Sequence, residues 1–200
     1  MKFVKFFLYA LITLLCIIGA LVACGSIVSD DETETIEQTQ SNQPQQQETN
    51  LPDKYAGLTT EQKNAVKSAE SYLYYSGFSR TGLIEQLEFE KYSTEAAEFA
   101  VDFCDPDWNA EALESAKSYI EYSGFSKNGL IEQLEFEGFT HSQAVYGADF
   151  CGADWNEEAA ETAKSYMDYS SFSREGLIDQ LEFEGFTADQ AEYGVSAVGY

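Results

Sequence analysis

The side chains that could do chemistry in this chain are few, and the first is a thiol. Cys24 follows Leu21-Val22-Ala23 and precedes Gly25-Ser26, at the end of an apolar run. Small residues leading to a cysteine at that place resemble a bacterial lipobox, whose cysteine is acylated with diacylglycerol and becomes the new N-terminus. The second group is acidic. Glu85-Gln86-Leu87-Glu88-Phe89-Glu90 returns at positions 132–137 and 179–184, with Asp179 in place of the first Glu, so carboxylates stand at matched sites in three places. Residues three apart on a helix are neighbours, and a like-charged pair there costs roughly a few tenths of a kcal/mol. Repeating such a pair has two readings. One is a solvated face that keeps the chain soluble; the other is a docking stripe for a basic partner, formed by Glu85, Glu88, Glu132, Glu135, Asp179 and Glu182.

The remaining candidates are weaker. His141, the single His, aligns with Thr94 and Ala188 in the other copies of the repeat described below, and it has no companions with which to ligate a metal. Asp102, Asp105 and Asp107 are spaced like the start of a calcium loop, but Gly152 replaces the middle one in the next copy and the rest of the loop pattern is missing. Ser79, Ser126 and Ser173 have no repeated His or Lys base beside them. The chain therefore reads as a non-enzyme without metal or cofactor, the covalent lipid on Cys24 aside.

Charge narrows the partners. Lys and Arg number 11 against 35 Asp and Glu, a net charge of −24, and residues 58–200 hold 28 acids and 8 bases. Phosphate recognition needs clustered cations, so nucleic acid is excluded and a charged partner must be basic. Hydrophobic residues make up 44% of the chain, enough for a core, and with only 3 Pro that core is expected to be helical.

Several elements must position these groups. Lys2 and Lys5 precede an apolar stretch at 6–23 whose polar side chains are Tyr9 and Thr13, which reads as an export signal over 1–23; an uncleaved membrane anchor is the alternative. Residues 24–57 are the lipidated Cys followed by an acidic, Gln-rich tether. As a flexible coil it spans roughly 30 Å, and at most about 110 Å. The chain is thus expected on the outer face of the cytoplasmic membrane, held by its lipid alone.

The rest is repetition. Between residues 115–140 and 162–187, 19 of 26 positions are identical at an offset of 47, and a further step back reaches Gly82-Leu83-Ile84 and Gln86-Leu87-Glu88-Phe89-Glu90. Periods of this size belong to helical repeats that bury their faces by stacking. The expected fold is all-α: three tandem 47-residue repeats at 58–106, 107–153 and 154–200, each of three short helices, packed as helix-turn-helix-like modules into one compact array.

Within each repeat, Ala65, Val66, Ala69 and Leu73 mark the apolar face of the first helix. Asn109 and Asn156 are expected as its N-caps behind Trp108 and Trp155, and Gly77 and Gly124 as its left-handed stop, weakened where Ser171 stands. Ser79, Ser126 and Ser173 should cap the second helix, with Phe78, Phe125 and Phe172 stapled to Leu83, Leu130 and Leu177; Gly138 and Gly185 should end it, with Lys91 in the first copy. Capping boxes at Thr140/Gln143 and Thr187/Gln190 open the third helix, whose small core line runs through Ala97, Ala100, Val101 and Cys104. Phe89, Phe136 and Phe183 point away from the second helix's core face and are expected between modules, the alternative being exposed interface anchors. Cys104 and Cys151 match Val198, which favours buried thiols over a disulfide.

Taken together, Trp155-Asn156, Ala163, Tyr166, Phe172-Ser173, Leu177, Gln180-Leu181, Glu184-Gly185-Phe186-Thr187, Ala191 and Tyr193 resemble the repeat of the host cell surface-exposed lipoproteins, a family that includes temperate-phage superinfection-exclusion lipoproteins of Gram-positive bacteria. The resemblance covers residues 58–200. It implies a helical repeat domain at the outer membrane face that blocks phage DNA at injection by binding the phage tape measure protein, and it implies no catalysis. The rival function is a host-encoded surface lipoprotein with a structural or adhesive role.

Overall fold

The computed structural model describes residues 54–200; the expected export signal, Cys24 and all but the last residues of the tether lie outside them. Leu51–Tyr200 is a compact unit by itself. Among the described residues there are nine helices and no strand, in three modules: α1 Thr60–Tyr75, α2 Arg80–Phe89, α3 Thr94–Cys104; α4 Trp108–Tyr122, α5 Lys127–Phe136, α6 His141–Phe150; α7 Trp155–Tyr169, α8 Arg174–Phe183, α9 Ala188–Ala197.

Each module folds around its own small core. In the first, Ala65, Val66 and Ala69 of α1 meet Leu83 and Leu87 of α2 and Ala96, Ala97, Ala100 and Val101 of α3. The third repeats it with Ala159, Ala163, Leu177, Leu181, Ala191 and Val195. Small residues let the first and third helices touch: a Cβ on Gly147 would lie 2.6 Å from the Ala112 carbonyl, and one on Gly194 2.6 Å from that of Ala159. The staple phenylalanines pack edge-on against a tyrosine of the preceding helix, as in Tyr72–Phe78 and Tyr119–Phe125.

The second helix is bounded the same way three times. Ser79, Ser126 and Ser173 each accept from the backbone N–H three residues on, at Gly82, Gly129 and Gly176. At the other end Lys91, Gly138 and Gly185 adopt positive φ, and the next residue donates back to Leu87, Leu134 or Leu181, closing a Schellman motif. Both capping boxes of the third helices form. In α3, which lacks one, the Ser93 N–H is taken instead by Glu61 of α1 at 2.9 Å.

The serine caps also join the modules. The Ser79 hydroxyl donates to the carbonyl of Glu137, the C-cap of α5, and the Ser126 hydroxyl to that of Glu184, the C-cap of α8, at 2.5 Å. One oxygen therefore satisfies an N–H at the start of one helix and a carbonyl at the end of another. Beside it, the Phe78 N–H donates to Glu111 and the Phe125 N–H to Glu158, both at 3.2 Å. Burial raises both carboxyl pKa values, the accepted N–H working against it.

Three expectations need correction. The first helices of the later modules are capped by Asp107 and Asp154, not Asn109 and Asn156, because the Asp oxygens reach two N–H groups each. Trp108 and Trp155 are consequently the first helical residues, and Trp108 packs against the core of the preceding module. Gly77 and Gly124 do not have positive φ. They are glycine because the next module's helix lies against them: a Cβ would come within 2.7 Å of Ser115 N at Gly77 and 2.5 Å of Thr162 Oγ1 at Gly124. Phe89, Phe136 and Phe183 are not between modules but exposed, at 73, 67 and 68%. The modules meet through helix ends and the turn before the second helix, so the side of that helix carrying these rings is left outside. Cys104 and Cys151 are free thiols; burial pushes the Cys104 pKa up to about 11.

Ser126→Ala should cost roughly 2–3 kcal/mol, because it removes a cap and also leaves the Glu184 carbonyl without its partner at the junction. Ser173→Ala, where the serine is exposed, should cost only about 1 kcal/mol. Urea unfolding of both variants checks the difference; equal losses would show that the bridge adds nothing.

Candidate functional site

The nine matched carboxylates divide by surroundings. Glu90, Glu137 and Glu184 sit at the C-caps of α2, α5 and α8 and each accepts the hydroxyl of a first-helix tyrosine, Tyr72, Tyr119 or Tyr166. Gln86, Gln133 and Gln180 hold the same hydroxyls at 3.0 to 3.2 Å, so each module repeats a Gln–Tyr–Glu cluster that ties its second helix to its first. Burial and the adjacent Glu90 raise the Tyr72 pKa to about 12. Glu137, half-buried at the first junction, is pushed up to about 7 by burial, against the pull of Ser115.

Of the stripe, Glu85, Glu132, Glu135, Asp179 and Glu182 are exposed and Glu88 is half-buried. Glu88 accepts the Thr94 hydroxyl, and Glu135 lies 2.7 Å from His141 Nδ1. At the third copy the matched residue is Ala188, which has no such group. Glu85, Glu132, Asp179 and Glu182 thus form the outward part of the stripe. Glu85, Glu132 and Asp179 each stand four residues before an exposed ring, Phe89, Phe136 or Phe183, and residues four apart share a helix face. The sequence singles out these rings but favours a place between modules, although the helical phase that points Phe89 away from Leu83 and Leu87 was already a signal for exposure.

The calcium-like aspartates serve the fold. Asp102 pairs with Arg80 at 2.7 Å, Asp105 is the left-handed C-cap of α3, and Asp107 caps α4. His141 is engaged by its local Glu135.

The fold and surface define an acid-rich, all-α tandem-repeat protein. A sequence profile of the host cell surface-exposed lipoproteins matches residues 60–103, 107–149 and 154–198. The chain belongs to that family of proteins exposed at the cell surface. It is also similar to the solved structure of Ltp, a superinfection exclusion protein from the Streptococcus thermophilus temperate phage TP-J34, with 34% identity over 46% of this chain and 95% of that one and a TM-score of 0.43. No significant match is found among curated proteins.

The Glu137 carboxyl gives a pH signature. Its folded pKa lies near 7 against about 4.5 ordinarily, so the native state holds a proton that the unfolded chain has lost. Its contribution is full below pH 4.5 and is lost as pH rises through 7. Glu137→Gln keeps an acceptor for Tyr119 and should remove this decline, on the order of 1–2 kcal/mol between pH 5 and 8. Unfolding curves of both proteins at the two pH values check it; parallel pH profiles would show that Glu137 titrates normally.

Proposed function

We propose that the protein is a lipid-anchored surface binder that stops phage DNA at injection by engaging a basic phage protein, the tape measure protein. The observation that carries this reading is the outward, threefold acidic stripe on a chain of the surface-exposed lipoprotein family. Superinfection exclusion is the activity named for the phage protein cited above, and it comes to this chain only as part of the proposal. Cys24 would carry the diacylglycerol, and residues 25–57 would keep the repeats close to the outer face of a Gram-positive membrane.

The stripe suits this task because exposed carboxylates act at a distance. A cationic segment would be drawn to the domain by long-range attraction and would meet acids on successive modules. The exposed phenylalanines beside Glu85, Glu132 and Asp179 would add apolar and cation–π contact for lysine and arginine side chains. Tethering would raise the local concentration where the phage protein emerges.

Cells expressing the chain should adsorb phage normally but take up less phage DNA than cells without it. Changing Glu85, Glu88, Glu132, Glu135 and Glu182 to Gln and Asp179 to Asn should leave helicity unchanged by circular dichroism and abolish protection. Protection by the intact chain should weaken with rising ionic strength, since salt screens exposed charge. A folded, fully protective amide variant would reduce the stripe to a solvated face. Cys24→Ser should abolish labelling by a fatty-acid probe and lower protection; persistent labelling would place the lipid elsewhere.

A further inference from the structure

The two ends of the array differ from its two interior junctions at the positions that make a junction. Gly77 and Gly124 let the following module's helix touch the backbone, but the third copy has an exposed Ser171. Gly138 and Gly185 let the preceding module approach, since a Cβ would lie 2.9 Å from Thr81 Cβ in one and 2.8 Å from Ser126 Oγ in the other. The first copy has an exposed Lys91 there, at φ +74. Glu111 and Glu158 accept the neighbouring Phe N–H, whereas the first copy has Asn64, also exposed.

Each departure falls in the copy whose face has no neighbour of this kind among the described residues. Such faces are complementary and not identical, so without a block they would join one chain to the next head to tail and continue without closing. A serine Cβ at the site of Gly77 or Gly124 would stand against helix backbone, which cannot give way as a flexible side chain can. At the other end the Lys91 side chain projects where interior modules leave room for a Ser cap. Aromatic residues reinforce both ends: the Tyr200 hydroxyl donates to the Phe172 carbonyl at 2.5 Å, and the Tyr55 ring packs on α1 with Lys63 and Lys67 Nζ 5.5 and 5.7 Å from its centre.

We infer that Ser171 and Lys91 are terminators: they prevent the exposed module faces at the two ends from docking a second copy of this chain. The partner each face would otherwise take is the opposite end of another molecule, in the geometry of the interior junctions.

Two complementary variants of residues 51–200, which hold all three cores, test this. Ser171→Gly opens one end, and Asn64→Glu with Lys91→Gly opens the other. In about 0.5 M salt, which screens the acidic surfaces from each other, each variant alone should sediment as a monomer, as should the unmodified protein. An equimolar mixture should approach a twofold rise in weight-average mass and go no further, while one chain carrying all three changes should grow into longer oligomers. Adding Ser173→Ala to the first variant should weaken the pairing, because that hydroxyl would meet the carbonyl of Glu90. Association of the unmodified protein through these ends, or a mixture of folded variants that stays monomeric, would overturn the inference. An independent arm places the terminator inside the array: Gly124→Ser should uncouple the third module and split the unfolding transition, and an undisturbed single transition would equally overturn it.

Discussion

The array depends on one hydroxyl group used in two directions. A helix leaves N–H groups unpaired at its start and carbonyls unpaired at its end, and each set carries partial charge of the opposite sign. Ser79 and Ser126 stand where the start of one second helix meets the end of the next, accepting from Gly82 or Gly129 and donating to the carbonyl of Glu137 or Glu184. Both serines are only 2% exposed, so these polar groups are withdrawn from water and must find one another. The aligned helix ends make that pairing favourable beyond the hydrogen bonds themselves.

This arrangement explains why glycine and acid are placed as they are. A hydroxyl has a short reach, so the two helix ends must come almost into contact, and only glycine at 77, 124, 138 and 185 leaves that space. The turn brought to the junction also exposes a Phe N–H, which Glu111 or Glu158 meets with a carboxylate held on the facing helix. The closest helix pairs nonetheless lie within modules, chiefly first helix against third. Each module is therefore a small core in its own right, and the junctions are narrow, polar and geometrically strict. Broad apolar stacking would tolerate slippage between modules, whereas a shared hydroxyl does not.

Much of this was legible from periodicity. The offset of 47, the three helices per copy, the serine caps and the Gly and Lys stops all followed from local chemistry that repeats. The junctions were not legible, because a sequence read copy by copy treats every cap as a local device. Gly77 looked like a helix stop, yet its role depends on a helix some forty residues away. The signal was present in the exceptions. Asn64 and Lys91 depart from the pattern in the first copy, and Ser171 in the last, and these are the faces that the interior copies use to join. In a tandem array, agreement among copies marks the module, and disagreement confined to an end marks the junction.

Local partners also separate acids that the sequence presents as equivalent. Glu85, Glu88 and Glu90 are within one turn and a half of each other, but Glu90 is tied to Tyr72, Glu88 to Thr94, and Glu85 faces water. Of the corresponding residues in the second module, Glu137 lies deep enough for its proton to be held to about pH 7. The formal charge of the chain thus overstates what the fold presents at neutral pH, and understates how selectively it is presented. Carboxylates bound by tyrosine and glutamine fix helix to helix and are less free to meet a partner. The outward ones, each next to an exposed phenylalanine, combine charge with apolar surface at intervals set by the junctions. Their spacing along the array is then a property of the serine bridges, so the geometry of any surface that contacts several modules is determined where those modules meet.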